Sequence, residues 1–247
     1  MHETTVESLP ESTWAVIVAG GRSARLAGDL PKQFREICGV PLYEISVKSV
    51  LNTGLGGVVL VVPPEKVSEI KRDVSERVKG SITVCAGGER RRDSVYNGFL
   101  RVPDRAKVIL IHDAARPFLP RSLTRDVANA AYRNGAALAA VQATDTLKKS
   151  EDGLIIEGTV GRRYVYYAQT PQGFRRDILK RSLSQPENAD EPTDESMSAE
   201  ELGIRPRLVR GSHFCFKVTV PEDLELAEAV YVWLSERKKH DDDWSWI

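Results

Sequence analysis

Three cysteines in 247 residues are too few, and an odd number, for a disulfide framework. Cys38, Cys85 and Cys215 lie far apart, and no Cys/His spacing reads as a zinc site. This cysteine usage points to a reducing cytoplasm. Net charge is missing too, with 35 Lys and Arg against 35 Asp and Glu. A chain held on nucleic acid by bulk electrostatics carries a basic excess, so that partner class is excluded, although a local cationic pocket is not. No apolar run approaches the ~18 residues of a membrane span, so no membrane partner is expected. Residues 1–13 lack both the basic start and the apolar core of a signal peptide. There is no internal repeat.

The composition that remains, 41% hydrophobic and 28% charged, is that of an ordinary globular protein of one large domain or two small ones. Residues 14–18, 57–62, 81–85 and 107–111 are continuous apolar runs, each stopped by Gly, Pro or His-Asp. Continuous rather than alternating runs predict strands buried on both faces, as in a parallel sheet. Between them, Leu42, Ile45, Val47 and Val50 fit one helix. Val67, Ile70, Val74 and Val78 fit another, and Leu123, Val127, Ala130 and Ala131 a third. Strand and helix alternate, so the class is α/β with right-handed crossovers.

Two segments break the rhythm. Residues 144–165 carry a turn near Glu151-Asp152-Gly153 between short apolar stretches and read as an inserted hairpin. Residues 184–193 are polar, contain Pro186 and Pro192, and read as a loop. Residues 221–239 form an amphipathic helix with acids in its first turn. The expected organisation is a polar extension (1–13), a single domain (14–239) and an acidic, aromatic tail (240–247) that reads as a frayed end.

The first strand runs into Ala19-Gly20-Gly21-Arg22-Ser23-Ala24-Arg25 and then Pro31-Lys32-Gln33-Phe34. Small residues after a buried strand let backbone N–H groups approach a ligand, and Arg25 and Lys32 add positive charge suited to a polyphosphate. The spacing is neither Gly-x-Gly-x-x-Gly nor a Walker loop, which disfavours a dehydrogenase or a Walker NTPase. The bland alternative is a tight turn with surface cations. A second motif, Gly87-Gly88-Glu89-Arg90-Arg91-Arg92-Asp93-Ser94, can present backbone and hydroxyl groups to a base, or be only a solvated helix start. A third, His112-Asp113-Ala114-Ala115-Arg116-Pro117, ends a central strand, where open α/β sheets bind ligands. A carboxylate there can hold a divalent metal or a sugar hydroxyl; the alternative is a structural Asp–Arg pair.

The first loop resembles the signature of sugar and alditol phosphate nucleotidyltransferases, with Gly20 where an Ala usually stands. The three motifs in order, with Asp145-Thr146, Thr159-Val160-Gly161-Arg162, Gln169-Thr170-Pro171-Gln172, Thr193-Asp194-Glu195 and Phe216-Lys217-Val218-Thr219, closely resemble the 2-C-methyl-D-erythritol 4-phosphate cytidylyltransferase family. The likeness spans about residues 14–235. Gly161 departs from the Val-Asp-Arg that the family commonly has.

The resemblance implies a Rossmann-like, three-layer nucleotidyltransferase fold with a mostly parallel twisted sheet and an inserted β-hairpin as dimerisation arm. It implies cytidylyl transfer from CTP to 2-C-methyl-D-erythritol 4-phosphate, in isoprenoid precursor synthesis by the non-mevalonate route. Arg25, Lys32, Arg162 and Lys217 then carry the catalytic charges. Ala19, Gly20, Gly21, Gly88, Glu89, Arg91 and Ser94 bind the nucleotide, and Asp113, Ala114, Arg116, Thr146, Thr170 and Thr193 the acceptor. Mg²⁺ is the implied cofactor, with Asp113 as its protein ligand, and the implied assembly is a homodimer with shared active sites. A ribitol 5-phosphate cytidylyltransferase is the nearest alternative by resemblance. A non-catalytic nucleotide-binding module is the other, though such a module would be expected to lose Arg25 or Lys32.

Overall fold

In the computed structural model, which describes residues 12–20, 31–184, 194–237 and 241–247, the apolar runs become strands of a seven-stranded sheet. In chain order the strands are β1 (Thr13–Val18), the short hairpin β2 (Glu36–Ile37) and β3 (Val40–Pro41), β4 (Gly57–Val62), β5 (Ile82–Ala86) and β6 (Val108–Asp113). Then come β7 (Ala136–Gln142), β8 (Leu147–Lys149), β9 (Gly158–Val160), β10 (Tyr166–Arg175) and β11 (Arg207–Arg210). The helices are α1 (Leu42–Leu51), α2 (Val67–Arg77), α3 (Arg91–Phe99), α4 (Arg121–Asn134), α5 (Arg176–Leu183), α6 (Glu195–Glu201) and α7 (Pro221–Arg237). The sheet order is β11-β7-β10-β6-β1-β4-β5, and every neighbouring pair is parallel except the two made by β10. The mostly parallel α/β architecture expected from the sequence is the one observed.

Every residue of β4 and β6 is buried, because helices cover both faces of the sheet. One apolar layer packs Val47 and Val50 of α1, Ile70 and Val74 of α2, and Leu123 and Val127 of α4 against the sheet. The opposite layer uses Val95 and Phe99 of α3, Ile178 and Leu179 of α5, and Ala199 of α6. The run at 81–85 departs from expectation. It forms the edge strand β5, where only Cys85 is buried, since no strand lies beyond it. Gly135 ends α4 at φ +92°, a backbone conformation that favours glycine, and a Cβ there would also push on the tip of Ile178, 2.6 Å away.

The chain runs outward from β1 through β4 to β5, then crosses to place β6 on the other side of β1. That reversal makes a topological switch point, and the crevice outside the carboxyl ends of β1 and β6 is where such sheets bind ligands. Val18 and Asp113 are register partners there. Between β7 and β10, β8 and β9 pair only with each other, forming the expected hairpin arm. Asp152 caps its turn by accepting the N–H groups of Leu154 and Ile155 at 2.7 and 2.9 Å.

The C-terminal tail is not frayed. Trp244 is buried in a third apolar cluster with Ile37, Leu42, Ile45, Phe118 and Leu234, edge-on to Phe214 at 5.8 Å. Asp243 accepts the Ser122 N–H at 2.6 Å and its hydroxyl at 2.7 Å, so the tail supplies the anion that the first turn of α4 lacks. An acidic, polar-looking tail docks because its aromatic residue has a cavity to fill. Trp244→Ala should therefore lower the unfolding free energy by roughly 3–5 kcal/mol, the cost of emptying a buried aromatic site. A urea unfolding midpoint unchanged by that substitution would contradict the docked tail.

Candidate active site

The site is built at the carboxyl end of β6, where six buried residues finish on a carboxylate. Asp113 is fixed by its own N–H, which donates to Thr170 Oγ1 on β10 at 3.1 Å. Its carboxylate meets three cations. Lys217 Nζ lies 2.7 Å from Oδ2, Arg91 Nη2 3.2 Å from Oδ1, and Arg116 Nε 3.8 Å from Oδ2. Burial alone would push the Asp113 carboxyl up, but Arg91, Lys217 and Arg116 together hold it well below the usual carboxylate range. Burial pushes the neighbouring imidazole of His112 down to about 4, so it is neutral at physiological pH.

Arg91, in the first turn of α3, joins two carboxylates. Its Nη1 donates to both oxygens of Glu195 at 2.6 Å, while Nη2 reaches Asp113. Burial pushes the Glu195 carboxyl up, against the pull of Arg91. Glu195 opens α6, whose cap is well made: Asp194 accepts the Met197 N–H at 3.0 Å, and Gln172 on β10 donates to Asp194 at 2.8 Å. Three cations around two carboxylates leave one positive charge in excess, suited to an anionic ligand.

The residues expected to bind the nucleotide form two adjacent turns. Ala19 and Gly20 follow β1, with the Ala19 N–H donating to the Val61 carbonyl and its own carbonyl accepting from Gln33 Nε2 at 2.7 Å. Gln33 escaped the sequence reading; its only signal was its place next to Lys32. Gly87 and Gly88 follow β5, and a Cβ on Gly88 would collide with Asp93. Ser94 accepts the Gly88 N–H at 3.1 Å and donates to the Arg90 carbonyl at 3.2 Å. Its hydroxyl is thus spent holding the turn. A Cβ added to Gly20 would sit 3.2 Å from Ser94 Oγ, so the two turns touch. Glu89 is exposed at the rim. Lys32 opens a short 3-10 turn; the Asp223 carboxyl, at the start of α7, is held below its ordinary value against burial chiefly by the Thr219 hydroxyl and the Thr219 and Val220 N–H groups, with a smaller share from the Lys32 charge.

Asp113, Ala114, Arg116, Thr170, Lys217 and Arg91 therefore converge. Thr170 does so from behind, with its hydroxyl engaged by Asp113 and His112. Thr146 and Arg162 lie on the exposed arm, where Arg162 donates to the Thr144 carbonyl. Gly21, Arg25 and Thr193 lie outside the described residues. The expectation of Asp113 as metal ligand fails on its chemistry. Both of its oxygens face protein cations, and among the described residues no group of three His, Cys, Asp or Glu gathers to hold a metal. This donor set does not fit a metal held by the protein. Among the described residues, no helix is long and apolar enough to cross a membrane.

Residues 13–232 match the family described as IspD, 2-C-methyl-D-erythritol 4-phosphate cytidylyltransferase. The chain is 34% identical over 225 residues to the enzyme of that name from Carboxydothermus hydrogenoformans, covering 90% of this chain and 96% of that one. It is 36% identical over 222 residues to the one from Syntrophus aciditrophicus, covering 87% and 94%. A crystal structure of 4-diphosphocytidyl-2C-methyl-D-erythritol synthase from Anaerococcus prevotii superposes with a TM-score of 0.78 at 26% identity, covering 90% of this chain and 99% of that one. The structure of 2-C-methyl-D-erythritol 4-phosphate cytidylyltransferase from Thermus thermophilus gives 0.72 at 30% identity, covering 87% and 97%.

The Arg91–Glu195 pair generates a stability prediction. Glu195→Ala removes one partner of a part-buried ion pair, leaving Arg91 with Asp113, and should cost about 1.5–3 kcal/mol in unfolding free energy. A loss below about 1 kcal/mol, the level of an exposed pair, would show that Arg91 finds other company.

Proposed function

The chain belongs to the 2-C-methyl-D-erythritol 4-phosphate cytidylyltransferase family, and we propose that it joins CTP to that acceptor by the division of labour that follows. It is a cytidylyltransferase of the non-mevalonate pathway, forming 4-diphosphocytidyl-2-C-methyl-D-erythritol and pyrophosphate. The observation that carries the division of labour is the cationic cluster on Asp113, beside two glycine turns at the switch point of the sheet.

An oxygen of the acceptor phosphate attacks the α-phosphorus of CTP. A new P–O bond forms as the bond to the β-phosphate bridging oxygen breaks, and pyrophosphate leaves with that electron pair. The acceptor phosphate is already anionic near neutral pH, so no general base is needed. Catalysis rests on alignment and on charge placed where the transition state develops it. Ala19, Gly20 and Gly21 approach the triphosphate with backbone groups, and Arg25 and Lys32 stabilise the departing charge. The Gly88–Glu89 backbone, in the turn held by Ser94, faces the cytosine; Arg91 closes that pocket towards Asp113. Asp113 accepts from the acceptor's hydroxyls, and Arg116, Lys217 and the Ala114 backbone frame it, with Thr170 behind; Thr193 is a further acceptor-binding residue. Mg²⁺ brought by CTP would supply further neutralisation of the triphosphate charge, with Asp113 not among the groups holding it.

The arm extends this reading to a homodimer with shared sites. Leu154, Ile155 and Ile156 are 88%, 69% and 61% exposed, and a two-stranded hairpin is marginal on its own in water. A second copy of the chain would cover these residues and receive Thr146 and Arg162 at its acceptor pocket.

Pyrophosphate release from CTP and Mg²⁺ should require 2-C-methyl-D-erythritol 4-phosphate; equal turnover with ribitol 5-phosphate, or none with either, would contradict the reading. The arm has its own test. Arg162→Ala and Lys217→Ala homodimers should each be nearly inactive, and co-refolded heterodimers should regain activity because one of their two sites is intact. Folded heterodimers without recovery would overturn the shared site.

A further inference from the structure

Behind the charge cluster, four residues from three parts of the chain close a ring of hydrogen bonds. The Arg116 carbonyl can only accept, so the neutral His112 ring keeps its proton on Nε2 and its Nδ1 accepts the Thr170 hydroxyl at 2.9 Å, while Thr170 Oγ1 accepts the Asp113 N–H at 3.1 Å. His112 Nε2 donates to the Arg116 carbonyl at 3.0 Å. Arg116 Nη1 donates to the Cys215 carbonyl at 2.9 Å. The Cys215 thiol donates to the Thr170 carbonyl at 3.2 Å and completes the ring. His112, Cys215 and Thr170 are all buried.

Each member of the ring holds a different part of the acceptor site. Thr170 fixes the Asp113 backbone, and His112 fixes the carbonyl of Arg116. Cys215 sits two residues before Lys217, on a segment also tied down where the Val218 N–H donates to the Ala115 carbonyl at 2.9 Å. We infer that His112 is a positioning residue for cytidylyl transfer, its two ring nitrogens setting Asp113, through Thr170, and Arg116 at the spacing the acceptor requires. Neither nitrogen is left to touch substrate. This inference rests on the acceptor roles given to Asp113 and Arg116 above.

His112→Gln keeps a donor towards Arg116 and loses the acceptor for Thr170. Thr170→Val cuts the same link from the other side with little change of volume, and serves even if the histidine variant does not fold. CTP affinity, measured by calorimetry, reports on folding and on the nucleotide half of the site. With CTP affinity kept, each single variant should lose roughly 10–100-fold in kcat/KM for the acceptor, the cost of misplacing groups by about an ångström. The double variant should be no worse than either single, because both cut one link. Asp113→Asn provides the reference. If it is impaired on the acceptor side while His112→Gln and Thr170→Val are not, the inference is overturned and the acceptor assignment stands. If all three turn over normally, the acceptor assignment fails and the inference with it. Losses that multiply in the double variant would also overturn the inference, since the two residues would then act separately.

Discussion

A carboxylate buried at the end of a central strand has to be neutralised, and most of this site follows from that requirement. An ionised Asp113 removed from water would cost several kcal/mol without partners. Its partners come from three places: Arg91 on α3, Arg116 in the turn after β6, and Lys217 just before α7. Arg91 is itself buried enough to need a second anion, which Glu195 of α6 supplies. One charged atom pair thus obliges elements from the whole length of the chain to meet. The arrangement leaves an excess of positive charge where an anionic acceptor is proposed to bind.

The fold makes that meeting possible. Parallel strands deliver β1 and β6 side by side with their carboxyl ends in register, so the glycine turn after Val18 faces Asp113. β10, the antiparallel member of the seven-stranded sheet, runs back along β6 and brings the Thr170 hydroxyl under the Asp113 amide.

How much of this could be read in advance depended on distance along the chain. The continuous apolar runs at 57–62 and 107–111 announced buried parallel strands, because burial on both faces leaves no room for alternation. The run at 81–85 looked the same, yet became an edge, since composition does not say which strand is last. Asp113 stood out because four apolar residues, Val108 to Ile111, end on His112 and a charge. Glu195 did not, because its partner Arg91 is 104 residues away and an acid after an Asp looks like an ordinary helix start. Thr170 and Ser94 were expected as site residues from their motifs, but the sequence did not show that their hydroxyls bond inward to the protein. The tail misled for a similar reason: its three aspartates are visible locally, whereas the cluster that receives Trp244 is assembled from distant segments.

The central claim is that Asp113 is held ionised by its three cations, and its side-chain carboxyl carbon reports on that directly. Followed by ¹³C NMR from pH 7 down to pH 4, its chemical shift should stay flat, although an unperturbed aspartate, with a pKa of ~3.9, is close to half protonated at the lower end. A titration of Asp113 with a midpoint at or above that ordinary value would contradict the account.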